Sequence, residues 1–223
     1  MPIGTPTTIG NAFNANNTAV VNITTTAAIV AGDTVVVLVN IGGGSLSVTS
    51  VSDGTNTYTK AFRVTNTTAA GELWYCVAAA GVAVSSTLAV NLSGTSGTAT
   101  VLANACQVSG VGIYDSTNSA SQSASGSSGS VTTGALLTAP AIVFGCLALF
   151  NTGYTGAAGF TTINNFVPFS SSAVLAYEQI AAGTAPVTYT PTFPPSSFVA
   201  FAAVFYGPNV GTVGILGVAT SEW

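Results

Sequence analysis

Asp33-Thr-Val-Val-Val-Leu-Val-Asn40 and, about 100 residues further on, Ala141-Ile-Val-Phe-Gly-Cys-Leu-Ala-Leu-Phe150 decide the fold. Neither run alternates apolar with polar, and neither has the 3.6-residue period of a helix. Each is short and bounded by turn residues, so each reads as a strand covered on both faces. Two further runs repeat at the same offset. Glu72-Leu-Trp-Tyr-Cys-Val-Ala-Ala-Ala-Gly81 corresponds to Ser172-Ala-Val-Leu-Ala-Tyr-Glu-Gln-Ile-Ala-Ala-Gly183, and Ala99-Thr-Val-Leu-Ala-Asn-Ala-Cys-Gln-Val-Ser-Gly110 to Phe198-Val-Ala-Phe-Ala-Ala-Val-Phe-Tyr-Gly207.

Outward from these runs, short β-type segments recur between turn signals such as Gly32-Asp33, Gly42-Gly43-Gly44, Asp53-Gly54, Ser93-Gly94 and Pro194-Pro195. The expected fold is all-β: a two-sheet antiparallel sandwich of jelly-roll type, built from an internal duplication, with very little helix. An immunoglobulin-like topology is the competing arrangement. The expected organisation is an arm over 1–17, one sandwich domain over 18–207 and a second arm over 208–223. Within the domain, half-repeats at about 19–114 and 135–207 flank a Ser/Gly-rich segment, 115–134, which has almost nothing to bury and reads as a solvent-facing crossover. Neither half offers much core alone, so the halves are expected to intercalate.

Composition sets the function classes. Apolar residues make up 48% of the 223-residue chain but charged residues only 4%, against about 25% in ordinary soluble domains. Recurrent Val, Ile, Phe and Tyr exclude a disordered chain. The exterior must then be Thr, Ser, Asn, Gly and Ala, with little repulsion to keep copies apart. Two basic residues and a net charge of −4 exclude nucleic acid and anionic membrane surfaces as partners. No apolar run is long enough to span a bilayer as a helix. The opening Met1-Pro-Ile-Gly-Thr-Pro6 has neither a basic nor an apolar signal region, so synthesis and assembly inside a cell, or a trimmed chain, is expected. Cys76, Cys106 and Cys146 each sit inside an apolar run and read as buried free thiols.

Chemistry-bearing residues are sparse. The absence of His removes the usual triad and most zinc sites. Asp33 and Asp53 lie in turns, where Asp bonds the backbone. Asp53-Gly-Thr-Asn56 offers too few carboxylates for calcium and reads as an ordinary hairpin turn. No catalytic, cofactor-binding or metal residue is assigned, and no enzyme is expected. Trp74, Tyr75, Tyr58 and Tyr114 could build a sugar-stacking platform or serve as core. Lys60 and Arg63 are the only cations; three apart, they fall on opposite faces of a regular strand. They are expected to pair with Glu72 or Asp53, to guard an edge, or to bridge subunits. Val213, Ile215, Leu216, Val218 and Trp223 lie beyond the last core strand and are the candidate assembly contacts.

In chain order, Val30-Ala-Gly-Asp33, Val48-Thr-Ser-Val-Ser-Asp53, Asn56-Thr-Tyr58 and Glu72-Leu-Trp-Tyr75, followed by the Ser-rich middle, resemble a β-sandwich module recurrent in tailed-phage virion proteins and bacterial exported repeat proteins. The resemblance covers about 19–207. It implies a sandwich with a surface role and carries over no catalytic residue. The chain departs from the module in its few charges and its short 53–58 turn. The expected function is a structural subunit of a virion exterior, made in the host cytoplasm, of capsid-decoration or fibre type. Its partners would be copies of itself and another structural protein such as a capsid or fibre protein. An extracellular filament or surface-layer subunit is the second reading, and a carbohydrate-binding module, with a glycan as partner, the third.

Overall fold

A strand apolar at every position has no face to give to water. The structure, a computed structural model in which residues 2–14, 18–43, 45–66, 68–97 and 99–208 are described, buries all nine residues of Thr34–Gly42 and all nine of Ala141–Leu149. The first half of the chain forms β1 (Thr7–Asn14), β2 (Val20–Thr24), β3 (Thr34–Gly42), β4 (Val48–Ser52), β5 (Thr59–Thr65), β6 (Ala69–Val77), β7 (Thr87–Leu92) and β8 (Val101–Val108). The second forms β9 (Ile113–Ser128), β10 (Val131–Thr132), β11 (Ala141–Leu149), β12 (Gly156–Ala157), β13 (Thr161–Phe166), β14 (Ser172–Ile180), β15 (Thr188–Tyr189) and β16 (Pro191–Tyr206). Among the described residues there is no helix, and the strand pairings are antiparallel. The protein is all-β, as its sequence predicts.

Two central sheets stack face to face. One runs β1-β8-β3-β6-β5; the other runs β12-β16-β11-β14-β13, with β9 also on β16. Between them Val36, Leu38, Leu73, Leu102 and Cys106 meet Ile142, Phe144, Cys146, Leu175, Phe201 and Phe205. The outer face of the first sheet is covered by β2-β7-β4, so Val35, Val37, Val39 and Ile41 pack on Val21, Ile23, Leu88 and Val90. The outer face of the second lies under β10, β15 and their loops, with Val143 and Leu147 packed beneath Val187, Tyr189 and Phe193. Each such side chain contributes about 1.5–3 kcal/mol by leaving water. Gly145 makes room for one of them: a Cβ there would stand 2.4 Å from Tyr189 Cδ2.

The duplication is visible in the pairing. β1 pairs β8, β2 pairs β7 and β3 pairs β6, while β9 pairs β16, β10 pairs β15 and β11 pairs β14. The three sequence correspondences fall on β3/β11, β6/β14 and β8/β16. In the stack β1 lies on β13, β8 on β14, β3 on β11, β6 on β16 and β5 on β9. The stacking is reciprocal, β1 on the counterpart of β5 and β5 on that of β1, β8 on that of β6 and β6 on that of β8, with β3 on its own counterpart, as two related sheets stack about a two-fold axis.

Three expectations about organisation differ from what is seen. The halves do not intercalate: every ladder lies within one half, and side chains alone join the two. Nested hairpins already satisfy each half's backbone, leaving only an apolar face to bury. The 115–134 segment is not a solvent crossover but supplies β9 and β10. β9 pairs along β16 because the backbone of that buried strand needs a partner on its outer side, and small Ser and Ala side chains suit a half-exposed edge. Thr7–Asn14, inside the expected arm, is the edge strand β1, held by β8 and by fully buried Ile9.

Candidate interaction surfaces

Lys60 and Arg63 share one face because β5 is bulged. Lys60 stands opposite Trp74 and Arg63 opposite Glu72, with the register slipping between Lys60 and Phe62. The extra residue turns an odd spacing into an even one. Both cations reach the fully buried Glu72 carboxylate: Lys60 Nζ lies 3.0 Å from Oε2, and Arg63 Nη1 bonds Oε1. Val48 N–H donates to Oε1 (2.9 Å) and Trp74 Nε1–H to Oε2 (3.1 Å), so the four acceptor positions are occupied. Lys60 also sits 4.9 Å above the Trp74 ring, and Arg63 Nη2 donates to the Leu46 carbonyl (2.9 Å). A carboxylate is buried at tolerable cost only when paired and bonded in this way.

Two other carboxylates are sequestered by their own turns. Thr55 N–H and Asn56 N–H donate to Asp53 Oδ1 (2.9 and 2.7 Å), while Asn56 Nδ2 and Tyr58 OH donate to Oδ2 (2.8 and 3.0 Å). At Asp115, Thr117 N–H and Asn118 N–H donate to Oδ1 (2.9 and 3.1 Å), and Asn118 Nδ2 and Tyr206 OH to Oδ2 (2.8 and 3.2 Å). Burial pushes both carboxyls up, but the donated hydrogen bonds outweigh it and hold them below the usual range. The calcium reading of the Asp53 turn has no lone pair left to use. The tetrapeptides are spelled alike, Asp53-Gly-Thr-Asn56 and Asp115-Ser-Thr-Asn118, a signal that reading Asp53-Gly54 as a plain turn passed over. Asp33 and Glu178 are raised by partial burial.

The aromatic candidates are divided between layers. Tyr58 and Trp74 belong to the core under β2-β7-β4, while Tyr75 and Tyr114 line the β5/β9 seam beside Phe62 and Phe205. They form no common platform. The three thiols are buried and unpaired, and burial pushes Cys76 up to about 11 and the other two higher. Val213, Ile215, Leu216, Val218 and Trp223 lie outside the described residues.

The opposite seam, where β1 lies on β13, carries an aromatic patch that the sequence does not announce. Phe13 and Phe169 meet edge to face with centroids 5.2 Å apart, and Phe166 lies 6.4 Å from Phe13. Phe13 is 46% exposed and Phe169 67%. Phe169 holds a left-handed backbone, φ +56°, unusual for a bulky residue. An open cleft of about 520 Å³ draws on the same loop, with Gly42, Ser45, Thr100, Phe150 and Ser171 in its walls and no charged side chain.

Six register shifts fall on the five ladders that end in an edge strand, β1, β4, β5, β9 and β13. The central ladders of β3 and β11 have none. Bulges here do the edge protection that Lys performs elsewhere. β2 has a regular ladder, but β1 crosses it closely: a Cβ on Gly10 would fall 2.8 Å from the Thr24 carbonyl oxygen. The chain matches no protein-family model, no curated protein and no solved structure.

Proposed function

We propose that this protein is a structural subunit that works by packing neutral surfaces on copies of itself and on a neighbouring structural protein. The observation that carries the reading is how little free charge the surface presents. Of the eight charges, Lys60 and Arg63 are tied to the buried Glu72 carboxylate though their side chains stay part-exposed, Asp53 and Asp115 are saturated within their own turns, and Asp33 and Glu178 are half-buried. The described exterior is otherwise mostly Ser, Thr, Asn, Gly and Ala with scattered apolar side chains, the composition of a surface that gains little from staying apart.

The setting that fits best is a virion exterior, as a capsid-decoration or fibre-type subunit. We read each half as a jelly roll, supported by the nested pairing of first strand with last, second with seventh and third with sixth. An extracellular filament or surface-layer subunit draws on the same neutral surface. Electron microscopy of particles from the native source, labelled with antibody to this chain, separates the settings. Label on capsids or fibres supports the first, label on cell-surface filaments supports the second, and label confined to free protein contradicts both.

A further inference from the structure

The free side of β9 is the longest uninterrupted edge among the described residues. β9 has one ladder, on β16, and no strand pairs its other side. Its two register shifts flank a stretch in which residues 120–126 run opposite 196–202, seven pairs without a break. That exceeds an average strand, and no other edge ladder runs more than five pairs without a shift. Bulges therefore guard the other edges more closely than they guard this one.

An edge strand turns the N–H and C=O of alternate residues away from its ladder. Gly134 N–H closes the free side at Asn118, bonding its carbonyl (2.8 Å). Among the described residues, only the Asn66 side chain bonds the backbone of 120–126 from outside the ladder, with Nδ2 3.4 Å from the Ala124 carbonyl oxygen and 3.3 Å from that of Phe198 beside it. The side chains raise no bar to a further strand. Ser121 and Ser125 are exposed, and Ser123 Oγ donates to the Thr65 carbonyl (3.3 Å) on the face towards β5. Ala120 and Ala124 pack on the outer core, where Gln122 Oε1 accepts from Ser130 N–H (2.8 Å).

The sequence of this edge names its partner. Ser119-Ala-Ser-Gln-Ser-Ala-Ser125 reads the same in both directions, and residues 116–177 hold no charge. When two copies pair antiparallel about Gln122, Ala120 faces Ala124 of the other copy, Ser121 faces Ser123 and Ser119 faces Ser125. Small, uncharged pairs let the backbones approach to the about 4.8 Å spacing of a sheet and set no like charges opposite one another. A strand of a different protein would gain nothing from the symmetry.

We propose that the 120–126 edge of β9 pairs antiparallel with the same edge of a second copy, across a two-fold axis at Gln122, so that the second central sheets of two subunits become one. This rests on the self-packing reading above and names its contact. One patch serves both partners, so the contact is isologous and closes at two copies.

The test is sedimentation velocity of the full chain at about 0.05 M salt, where charge is little screened. Ser121 is exposed, so Ser121→Lys and Ser121→Glu leave the fold intact, which circular dichroism checks. In the paired edges residue 121 of each copy lies diagonally across from that of the other, within reach of long side chains. The expected result is association of the wild type, at least about tenfold weaker association of either variant alone, and recovery of association in their equimolar mixture. Should either variant misfold, Gln122→Lys and Gln122→Glu replace the two, because residue 122 faces itself across the axis. A lysine variant that associates as the wild type does, or a mixture of opposite charges that stays apart, overturns the paired edge and leaves self-packing standing. A wild type that is monomeric at every concentration removes both.

Discussion

At the scale of single residues, the chain answers its few carboxylates locally. Glu72 holds the two cations, a ring N–H and a backbone N–H at once. Glu72→Gln is therefore expected to destabilise the protein by roughly 2–4 kcal/mol, near the lower end because both cations can turn to water; chemical denaturation measures it. A change below about 1 kcal/mol would show that the cluster is ornamental. The aspartate turns act through pH. In each, the folded carboxyl is held below its unfolded value, so the stability it contributes is complete above the ordinary carboxylate range and is lost as pH falls through the lowered value. Asp33 and Glu178, raised by burial, contribute with the opposite sign. Melting midpoints from about pH 5 to pH 3 should fall less steeply in Asp53→Asn and in Asp115→Asn than in the wild type. Equal slopes would mean that these turns do not couple to acid unfolding.

At the scale of elements, irregularity at the edges decides which side chains meet. Deleting Ala61 takes the extra residue out of β5 and leaves Lys60 and Arg63 two apart on a regular strand, both still on the face of Glu72. The cluster is expected to survive the deletion, and a fall in the denaturation midpoint worth more than about 2 kcal/mol, the size of a broken buried pair, would contradict this reading of the bulge. Gly145→Ala asks a second question of β11. Its methyl would meet Tyr189 and Phe160, and the expected cost is about 1–3 kcal/mol by the same measurement. Much at this scale is legible in the sequence. The runs at β3, β6, β8, β11, β14 and β16 are dense in apolar residues and flanked by turn signals, and their duplication shows as an offset of roughly 100 residues. β9 is not legible, because a Ser/Ala/Gly strand is made by the neighbour that needs its hydrogen bonds rather than by its own pattern. The β5 bulge is not legible either, so two cations that share a carboxylate read as facing apart. The Phe13–Phe169 contact joins residues far apart in sequence across two halves, and no local periodicity encodes it.

At the scale of the molecule, two similar half-sheets share one apolar interior, so neither keeps its inner face dry alone. Cys76 lies in the first half and Cys146 in the second, both buried. Under increasing denaturant a thiol reagent should label both at the same concentration, and Phe201→Ala, costing about 3–5 kcal/mol, should shift both labelling midpoints together. Staggered midpoints would mean two independent units. The wider claim is that a neutral exterior exists to be packed against, and it is tested most directly by sedimentation velocity of the full chain over a range of protein and salt concentrations. Contacts between apolar and neutral polar surfaces are not screened, whereas charge-driven ones weaken within a Debye length. The account predicts association at micromolar protein that holds or strengthens from about 0.05 M to about 1 M salt. A monomer at every concentration, or an assembly that dissolves as salt rises, would contradict it.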